Sequence, residues 1–458
     1  MKNKKYSRLT FMSAVFAALV ATSCSSMTSN SKTTVLEQPQ EEPTISETVA
    51  AQVLSEIKPE PQRKYLRGIH LSAWISGPTK HRVAVEQVFA DTELNTAVID
   101  IKEYEGQVYI DGVKMAEENH TYFPAMKNLK EYLAELKEKG IYTIARLVVF
   151  KDNLMPLKKP SLAVKNPDGT LWKDRKGSTW LDPYNKDAWE YNIQIAERAI
   201  DLGFQEIQFD YIRFPSDGNT KNCRYSNKKH SRAEAPKAIV EFLKEAAKRI
   251  RDKGGKVSID VFGLTTTSQD DMGIGQKIVD MAEQVDYVSP MVYPSHYAKG
   301  EYGIADPDKS PYATVYKSME GAARRIPKEK LRPWLQDFSL GVKYTKEEVR
   351  AQIQACYDND IPDWLLWNPR CVYTRDALKG QDAETEYKKS DPPTPEMIKT
   401  QEKLNTTESG VQSSTGTAVN ISTGTAAVNE KPAAKKENKK KTIKTAKKQK
   451  TKTLARAA

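Results

Sequence analysis

The sequence predicts an α/β protein whose folded part is a (β/α)8 TIM barrel, and three observations support that prediction. Between about residues 64 and 376, short runs rich in β-branched and aromatic residues alternate with amphipathic helical stretches, a pattern typical of parallel strands joined by helices. Eight such units in roughly 310 residues match the strand number and the size of a TIM barrel. No G-x-G-x-x-G follows the first run, which disfavours the alternative of an open sheet that binds a dinucleotide.

The strand runs are bounded by turn residues, and the helical stretches between them repeat apolar residues at intervals of three and four. Two of these stretches, 123–140 and 189–203, end at Gly140 and Gly203, and glycine is a typical helix stop. The predicted strands are 67–75, 96–102, 142–150, 206–215, 256–263, 286–294, 332–339 and 363–369.

The barrel region, 63–377, is preceded by two segments with a different composition. Residues 1–24 place four basic residues before an uncharged, mostly apolar stretch at 9–21, which predicts a secretory signal peptide. Cys24 follows small residues as in a bacterial lipobox, so we expect a lipidated, membrane-anchored protein of the bacterial cell envelope. Cleavage near Ser23, or an uncleaved anchor, is the alternative. Residues 25–62, rich in Ser, Thr, Glu, Gln and Pro, predict a disordered tether.

The other end of the chain, residues 378–458, predicts a disordered Lys-rich tail. Residues 401–458 carry 13 Lys and Arg against 4 Glu, which is +9 of the formal net charge of +11. Such a block attracts polyanions in a salt-dependent way. An anionic envelope polymer is therefore a candidate partner of the tail. The alternative is a tail that only keeps the protein soluble. No specific nucleic acid is expected as a partner of an exported protein.

No metal or cofactor is expected, because the sequence has no C-x-x-C, H-E-x-x-H or P-loop. Three cysteines follow Cys24, namely Cys223, Cys356 and Cys371. A Cys356–Cys371 disulfide and three inert thiols are both compatible with that number.

Charged residues recur on one face of the predicted strands. In the fourth strand Ile207, Phe209 and Tyr211 share one face, whereas Gln208 and Asp210 share the other. The apolar face must pack on helices, so the polar face is expected to point to the barrel axis. The same alternation turns Asp100 and Lys102, Arg146 and Asp260 inward on the second, third and fifth strands. Because each lies late in its strand, they should meet at the carboxyl-terminal mouth, where barrel active sites lie.

Several carboxylates beside cations suit glycoside hydrolysis, which needs one carboxylic acid and one carboxylate. Asp210 is the predicted nucleophile or charge stabiliser, with Arg146 or Lys102 keeping it ionised. Asp260 is the predicted acid, because its apolar neighbours should raise its pKa. Glu103 and Asp337 are reserves. The alternative is a structural lattice of salt bridges that closes the mouth.

Aromatic and polar residues near the strand ends are candidates for binding the sugar, because flat rings with polar edges suit the apolar faces of pyranoses. The predicted substrate-binding residues are His70, Trp74, Asp100, Glu103, Arg146, Tyr211, Arg213, Tyr293, His296, Trp334 and Trp367.

Five stretches together resemble a family of bacterial envelope proteins, the DUF4015 glycoside hydrolases. The stretches are "RGIHLSAW", "LDPYNKDAWEYNIQIAERAIDLGFQEIQFDYIRFPSDG", "SPMVYPSHY" with "PYATV" downstream, "RPWLQDFS" and "WLLWNP". The resemblance covers about residues 65–376. It implies a TIM barrel related to the amylase-type hydrolases, with Asp210 at the fourth-strand nucleophile position, Asp260 at the fifth-strand acid position and Asp337 at the seventh-strand stabiliser position.

The sequence thus predicts an envelope-anchored glycoside hydrolase that cleaves a polysaccharide or a cell-wall glycan with an Asp pair at the barrel mouth. The alternative is a barrel lipoprotein that binds glycan or organises the envelope without turnover. The sugar, the linkage and the stereochemical course are not readable from the residues.

Overall fold

The eight predicted strands all form, and they close into one parallel barrel in chain order, β1 to β8. The computed structural model describes residues 64–77, 80–380 and 387–390. The strands are β1 Arg67–Leu71, β2 Thr96–Lys102, β3 Tyr142–Val148, β4 Glu206–Asp210, β5 Lys256–Phe262, β6 Tyr287–Met291, β7 Trp334–Gln336 and β8 Trp364–Trp367. Each strand lies inside the run predicted for it, because the ends of most runs turn into loops.

Helices connect the strands and cover the outside of the barrel, as in a TIM barrel. Among the described residues they are α1 Ala73–Ser76, α2 Lys80–Asp91, α3 Lys114–Glu118, α4 Leu129–Glu138, α5 Met155–Lys158, α6 Lys186–Leu202, α7 Glu234–Asp252, α8 Ile278–Ala282, α9 Pro311–Ala323 and α10 Lys346–Asp358.

Helix α6 shows how the sequence sets a helix boundary. Asn185 accepts hydrogen bonds from the first backbone N–H groups, at Asp187 and Ala188, and so caps the amino terminus. Gly203 ends the helix at φ 114°, a conformation that a residue with a Cβ atom adopts only at a cost. The predicted stop at Gly203 is confirmed, and the helix begins three residues before the predicted segment.

Strand β4 confirms the predicted alternation of faces. The ring of Phe209 lies 5.4 Å from that of Phe242 on helix α7, so this face packs on the helices. Gln208 points to the barrel axis, where its amide donates to Ser289 Oγ of β6 at 3.1 Å. The polar face of β4 therefore lines the axis, and Asp210 lies at its carboxyl end.

An ion pair fills the barrel axis near the amino-terminal end of the strands. Arg332 and Glu206 are both fully buried and form a two-point contact, in which Nη1 lies 3.2 Å from Oε2. The hydroxyls of Tyr142 and Ser258 donate to the same carboxylate. One guanidinium thus meets one carboxylate, and neutral donors occupy the remaining acceptor sites.

Residues 1–63, 381–386 and 391–458 lie outside the described residues, and with them the predicted signal peptide, Cys24, the predicted tether and most of the predicted tail. Within the described part of the chain, no helix is long and apolar enough to cross a bilayer. Cys223, Cys356 and Cys371 are buried free thiols. The structure therefore agrees with three thiols and not with a Cys356–Cys371 disulfide.

Candidate active site

The centre of the mouth is Arg146 of β3, a fully buried arginine that contacts three carboxyl groups. Its Nη1 donates to Asp100 Oδ1 of β2 at 2.7 Å, its Nη2 donates to Asp210 of β4, and its Nε lies 3.6 Å from Asp260 Oδ2 of β5. These are the inward-facing residues that alternation predicted on four neighbouring strands. The structure therefore brings the predicted Asp210–Asp260 pair onto one guanidinium.

His70 of β1 extends this cluster on the side of Asp100. Its Nε2 lies 2.6 Å from Asp100 Oδ2, and its Nδ1 lies 3.4 Å from the carbonyl oxygen of Asn368. Burial opposes the charge of the imidazolium, but the Asp100 carboxylate and the Cys371 sulfur, 3.9 Å from Nδ1, together outweigh it and raise the pKa of His70 to about 10. Burial likewise opposes the charge of Asp100, yet His70 and Arg146 hold its pKa well below the usual range.

Asp210 lies where β4 ends and the chain turns sharply. One of its carboxylate oxygens accepts from Arg146, and the other accepts from the backbone N–H of Tyr211 at 2.6 Å. Tyr211 has a φ of 51°, in the left-handed region that residues with a Cβ atom enter rarely. The turn thus directs a backbone donor at the Asp210 carboxylate and holds it in one orientation.

Asp260 is more deeply enclosed, with an exposed fraction of 1%. Its Oδ1 accepts from the indole N–H of Trp334 at 2.7 Å. Burial and the neighbouring charge of Asp210 raise the pKa of Asp260 well above its ordinary value, although Arg146 acts in the opposite direction. A raised pKa was predicted for this residue from its apolar neighbours, and the added cause is Asp210.

Glu103 follows β2 and is the half-buried carboxyl group beside this cluster. Burial and the adjacent Asp100 charge raise the pKa of Glu103 to about 8, so the group is mostly protonated at neutral pH. The hydroxyl of Tyr109 lies 3.5 Å from Glu103 Oε2.

Aromatic rings form one wall of the mouth. Trp367 of β8 stacks on His70 with ring centroids 3.9 Å apart, and the Arg146 guanidinium lies 4.8 Å from the Trp367 ring. Trp334 is fully buried and meets Trp367 edge-on, so its ring positions Asp260 and offers no free face. Tyr293 packs edge-on against His296, 5.4 Å away.

Trp74 lies on the short helix α1, directly after β1. Its side chain is 58% exposed, more than that of any other tryptophan among the described residues. Its ring meets Tyr109 edge-on at 6.1 Å. The exposed ring of Trp74 thus packs on the buried Tyr109, whose hydroxyl lies beside Glu103.

Arg213 lies in a box of aromatic rings rather than on a carboxylate. Its guanidinium is 5.0 Å from Trp180, 4.8 Å from Tyr211 and 4.6 Å from Phe262, and it donates to Ser216 Oγ at 3.1 Å. Burial lowers the pKa of Arg213. Tyr211 and Arg213, which were predicted separately as substrate-binding residues, thus contact each other beside the turn after β4.

Asp337 follows β7 but makes different contacts from the other two aspartates. Its Oδ2 accepts from the backbone N–H of Thr374 at 2.8 Å, and its Oδ1 accepts from the Thr374 hydroxyl at 2.6 Å. Burial raises the pKa of Asp337. These contacts tie the loop after β8 to the end of β7. The catalytic role implied by the resemblance stays a prediction.

The inward orientation expected for Lys102 is wrong. A β-bulge between Asp100 and Lys102 shifts the register, so that Lys102 lies opposite Leu147 on the outer face of the sheet. Its Nζ contacts Asp152 at 2.9 Å and lies 5.5 Å from the Tyr191 ring of helix α6. Lys102 therefore pairs outside the barrel axis, and of the two candidate partners of Asp210 it is Arg146 that contacts it.

His70, Asp100 and Glu103 also offer an imidazole nitrogen and two carboxylate oxygens within 4.8 Å of one another, a donor set that divalent cations accept. His70 contacts one oxygen of Asp100 and Arg146 contacts the other, so these two side chains balance the charge of the Asp100 carboxylate without a metal cation. The expectation of no metal stays a prediction.

Sequence reasoning missed Tyr109, Asn368 and Thr374, which contact Glu103, His70 and Asp337 respectively. All three lie in loops after strands, where no periodicity marks a residue. Position after a predicted strand was the one usable signal.

Comparison with known families gives one match across the barrel. A family model described as "Putative glycosyl hydrolase domain" matches residues 68–373, about two thirds of the chain. Among curated proteins, none matches the chain.

Solved structures resemble the same region. A hypothetical protein from Ruminiclostridium thermocellum is 37% identical, covering 42% of this chain and 97% of its own, with a TM-score of 0.38. The PgaB (BpsB) glycoside hydrolase domain from Bordetella bronchiseptica is 13% identical, covering 70% of this chain and 99% of its own, with a TM-score of 0.52. The Bacillus megaterium spore cortex-lytic enzyme SleL is 13% identical, covering 72% and 76%, with a TM-score of 0.43.

Proposed function

The chain belongs to the glycosyl hydrolase domain family whose model matches residues 68–373, and from that premise we propose an envelope-anchored glycosidase that acts on a polysaccharide or cell-wall glycan. The reaction takes place at the barrel mouth, with Asp210 and Asp260 as the paired carboxyl groups. The single observation that carries the proposal is the buried Arg146, which contacts three carboxyl groups at the carboxyl ends of the strands.

Glycoside hydrolysis uses one carboxylic acid and one carboxylate. Asp210 accepts from Arg146 and from the backbone N–H of Tyr211, which hold its carboxyl group in one orientation at the mouth. The raised pKa of Asp260 favours its neutral form. Asp210 is therefore the member of the pair that we place opposite the positive charge that develops on the sugar.

The wall of the mouth fits a carbohydrate. Trp367 is partly exposed over His70 and Arg146, and aromatic rings bind the apolar faces of pyranoses. The donor atoms of Glu103 and His70 lie within 4.8 Å of one another, and His70 stacks on that ring. A sugar needs both aromatic and polar contacts, so a glycan is the substrate class that the wall supports best.

Attachment to the bacterial envelope rests on the sequence of residues 1–24. We expect a radioactive fatty acid to label the wild-type protein in cells and to leave a Cys24→Ala variant unlabelled. Persistent labelling of the variant, or an unlabelled wild type, would contradict lipidation at Cys24. We also propose that the Lys-rich tail adds salt-dependent contact with an anionic envelope polymer.

Hydrolysis is tested with Asp210→Asn on a panel of aryl glycosides and envelope glycans. The expected loss in kcat/KM is on the order of a thousandfold or more, because the transition state loses the charge opposite the oxocarbenium ion. Asp280→Asn, at an exposed carboxylate on helix α8, is the matched control and should keep full activity.

Two outcomes would overturn the proposal. A folded, fully active Asp210→Asn would remove Asp210 from the chemistry. A folded wild type that binds glycans but cleaves none of the panel would instead identify a binding barrel without turnover. Since removal of a carboxylate leaves Arg146 with one partner fewer, the free energy of unfolding is measured on the same preparations.

A further inference from the structure

The proton that a leaving sugar needs has to come from a carboxyl group within hydrogen-bond reach of the glycosidic oxygen. Asp260 has a raised pKa but an exposed fraction of 1%, and Trp334 and Arg146 contact its two oxygens. Asp100 is fully buried between His70 and Arg146. Both groups are more enclosed than Asp210, at 3%, and than the half-buried Glu103.

Glu103 is placed differently. It is half-buried, lies in the loop after β2 beside Asp100, and has the Tyr109 hydroxyl 3.5 Å from its Oε2. On its outer side Tyr109 meets the ring of Trp74, which is 58% exposed. Glu103 is therefore the most accessible carboxyl group of the cluster, and Tyr109 connects it to the exposed ring of Trp74.

The charges around Glu103 suit a proton donor. Burial and the Asp100 carboxylate raise its pKa to about 8, Glu105 acts in the same direction, and Arg146 opposes them. His70 faces the same cluster, but its charge is matched by the short contact with Asp100. Glu103 therefore holds a proton at neutral pH, yet the pKa is low enough for it to be released during a reaction.

We propose that Glu103 is the proton donor of this glycosidase, that Trp74, packed on Tyr109, holds the sugar on the leaving-group side, and that Asp260 is a positioning residue. This inference rests on the proposed glycosidase activity at the barrel mouth, and it narrows the role of Asp260 within the Asp210–Asp260 pair to positioning.

The step balances as follows. The Glu103 carboxylic acid gives its proton to the glycosidic oxygen while the bond from that oxygen to the anomeric carbon breaks, and the bonding electrons stay on the oxygen. The leaving sugar departs as a neutral alcohol, and the Asp210 carboxylate compensates the positive charge on the remaining ring. Water then bonds to the anomeric carbon, and the proton that it loses restores the acid form of Glu103.

The test uses the full chain and aryl glycosides of one sugar that differ in the acidity of the leaving phenol. Glu103→Gln should lower kcat/KM on the order of a hundredfold or more for poorly acidic phenols, and only a few-fold for nitrophenols, which need little protonation. Asp260→Asn should affect all phenols equally. Glu118→Gln, at an exposed glutamate on helix α3, is the matched control and should behave as wild type.

Two further measurements separate a proton donor from a structural residue. The rate of the wild type should fall as pH rises through about 8, and Glu103→Gln should lose that basic limb. Trp74→Ala should raise KM for oligosaccharides more than for aryl glycosides.

A Glu103→Gln variant without leaving-group dependence would overturn the inference, as would finding that dependence in Asp260→Asn instead. In both cases loss of activity in Asp210→Asn would still stand, so the proposed function would survive. A wild type that cleaves no member of the panel would contradict the proposed function and the role of Glu103 together.

Discussion

Two fully buried arginines lie along the axis of this barrel, and their surroundings differ. Near the amino-terminal end, Arg332 meets the single carboxylate of Glu206, whose oxygens also accept from two neutral hydroxyls. Near the carboxyl-terminal end, Arg146 meets Asp100, Asp210 and Asp260. The first arrangement satisfies its charges one to one, whereas the second gathers more acid than one guanidinium can neutralise.

The difference supports the proposal that the Arg146 end is a chemical site and the Arg332 end a structural ion pair. A structural pair needs matched charges, because an unpaired buried charge is costly. Excess carboxyl groups raise one another's pKa, and such perturbed groups cluster where a protein uses proton transfer. A structural lattice of salt bridges that closes the mouth stays the alternative for the residues around Arg146.

The largest effect on stability is expected at the structural pair. Glu206→Gln leaves Arg332 fully buried without its carboxylate, so we expect a loss of about 3–5 kcal/mol in the free energy of unfolding. Asp210→Asn should lose less, because Arg146 keeps Asp100 at 2.7 Å. Urea unfolding of both variants measures the difference, and equal losses would remove the distinction between the two arginines.

The His70–Asp100 contact should make stability depend on alkaline pH. The pKa of His70 is raised to about 10 in the folded protein, against about 6.5 when unfolded. Its contribution is therefore fully present below about pH 6.5 and is lost as pH rises through about 10.

Unfolding of wild type and His70→Gln from pH 6 to pH 10 tests this contribution, which amounts to at most a few kcal/mol. The difference between the two proteins should shrink steadily as pH rises. A difference independent of pH would mean that His70 is neutral when folded.

Asp260→Asn should change the free energy of unfolding only slightly, in contrast to Glu206→Gln. Because its pKa is raised well above the usual range, the carboxyl group should already be neutral at pH 7, and an amide still accepts from Trp334. We expect the free energy of unfolding to change by less than about 1 kcal/mol. A loss as large as that of Glu206→Gln would show a charged Asp260.

The smallest effect is expected from the tail, which lies outside the described residues. Deletion of residues 401–458 should leave the melting temperature nearly unchanged, since the segment has no apolar periodicity. It should weaken retention on anionic vesicles at low salt, because it removes a charge of +9. A drop of many degrees would instead show that the tail stabilises the barrel.

The sequence by itself determined the barrel and the inward-facing groups. Eight alternating runs were enough for the fold, and a period of two was enough to place Asp100, Arg146, Asp210 and Asp260 on the axis. These features depend on local patterns, because a strand in a closed sheet has only an inner face and an outer face.

Only the tertiary structure decided which of these groups touch, and which face the solvent. A bulge of one residue moved Lys102 to the outer face, and the loop after β8 placed Thr374 on Asp337. Glu103 lies half-exposed because of the path of its own loop. Such outcomes follow from register, strand stagger and loop closure, which join residues far apart in the chain and leave no periodic mark in the sequence.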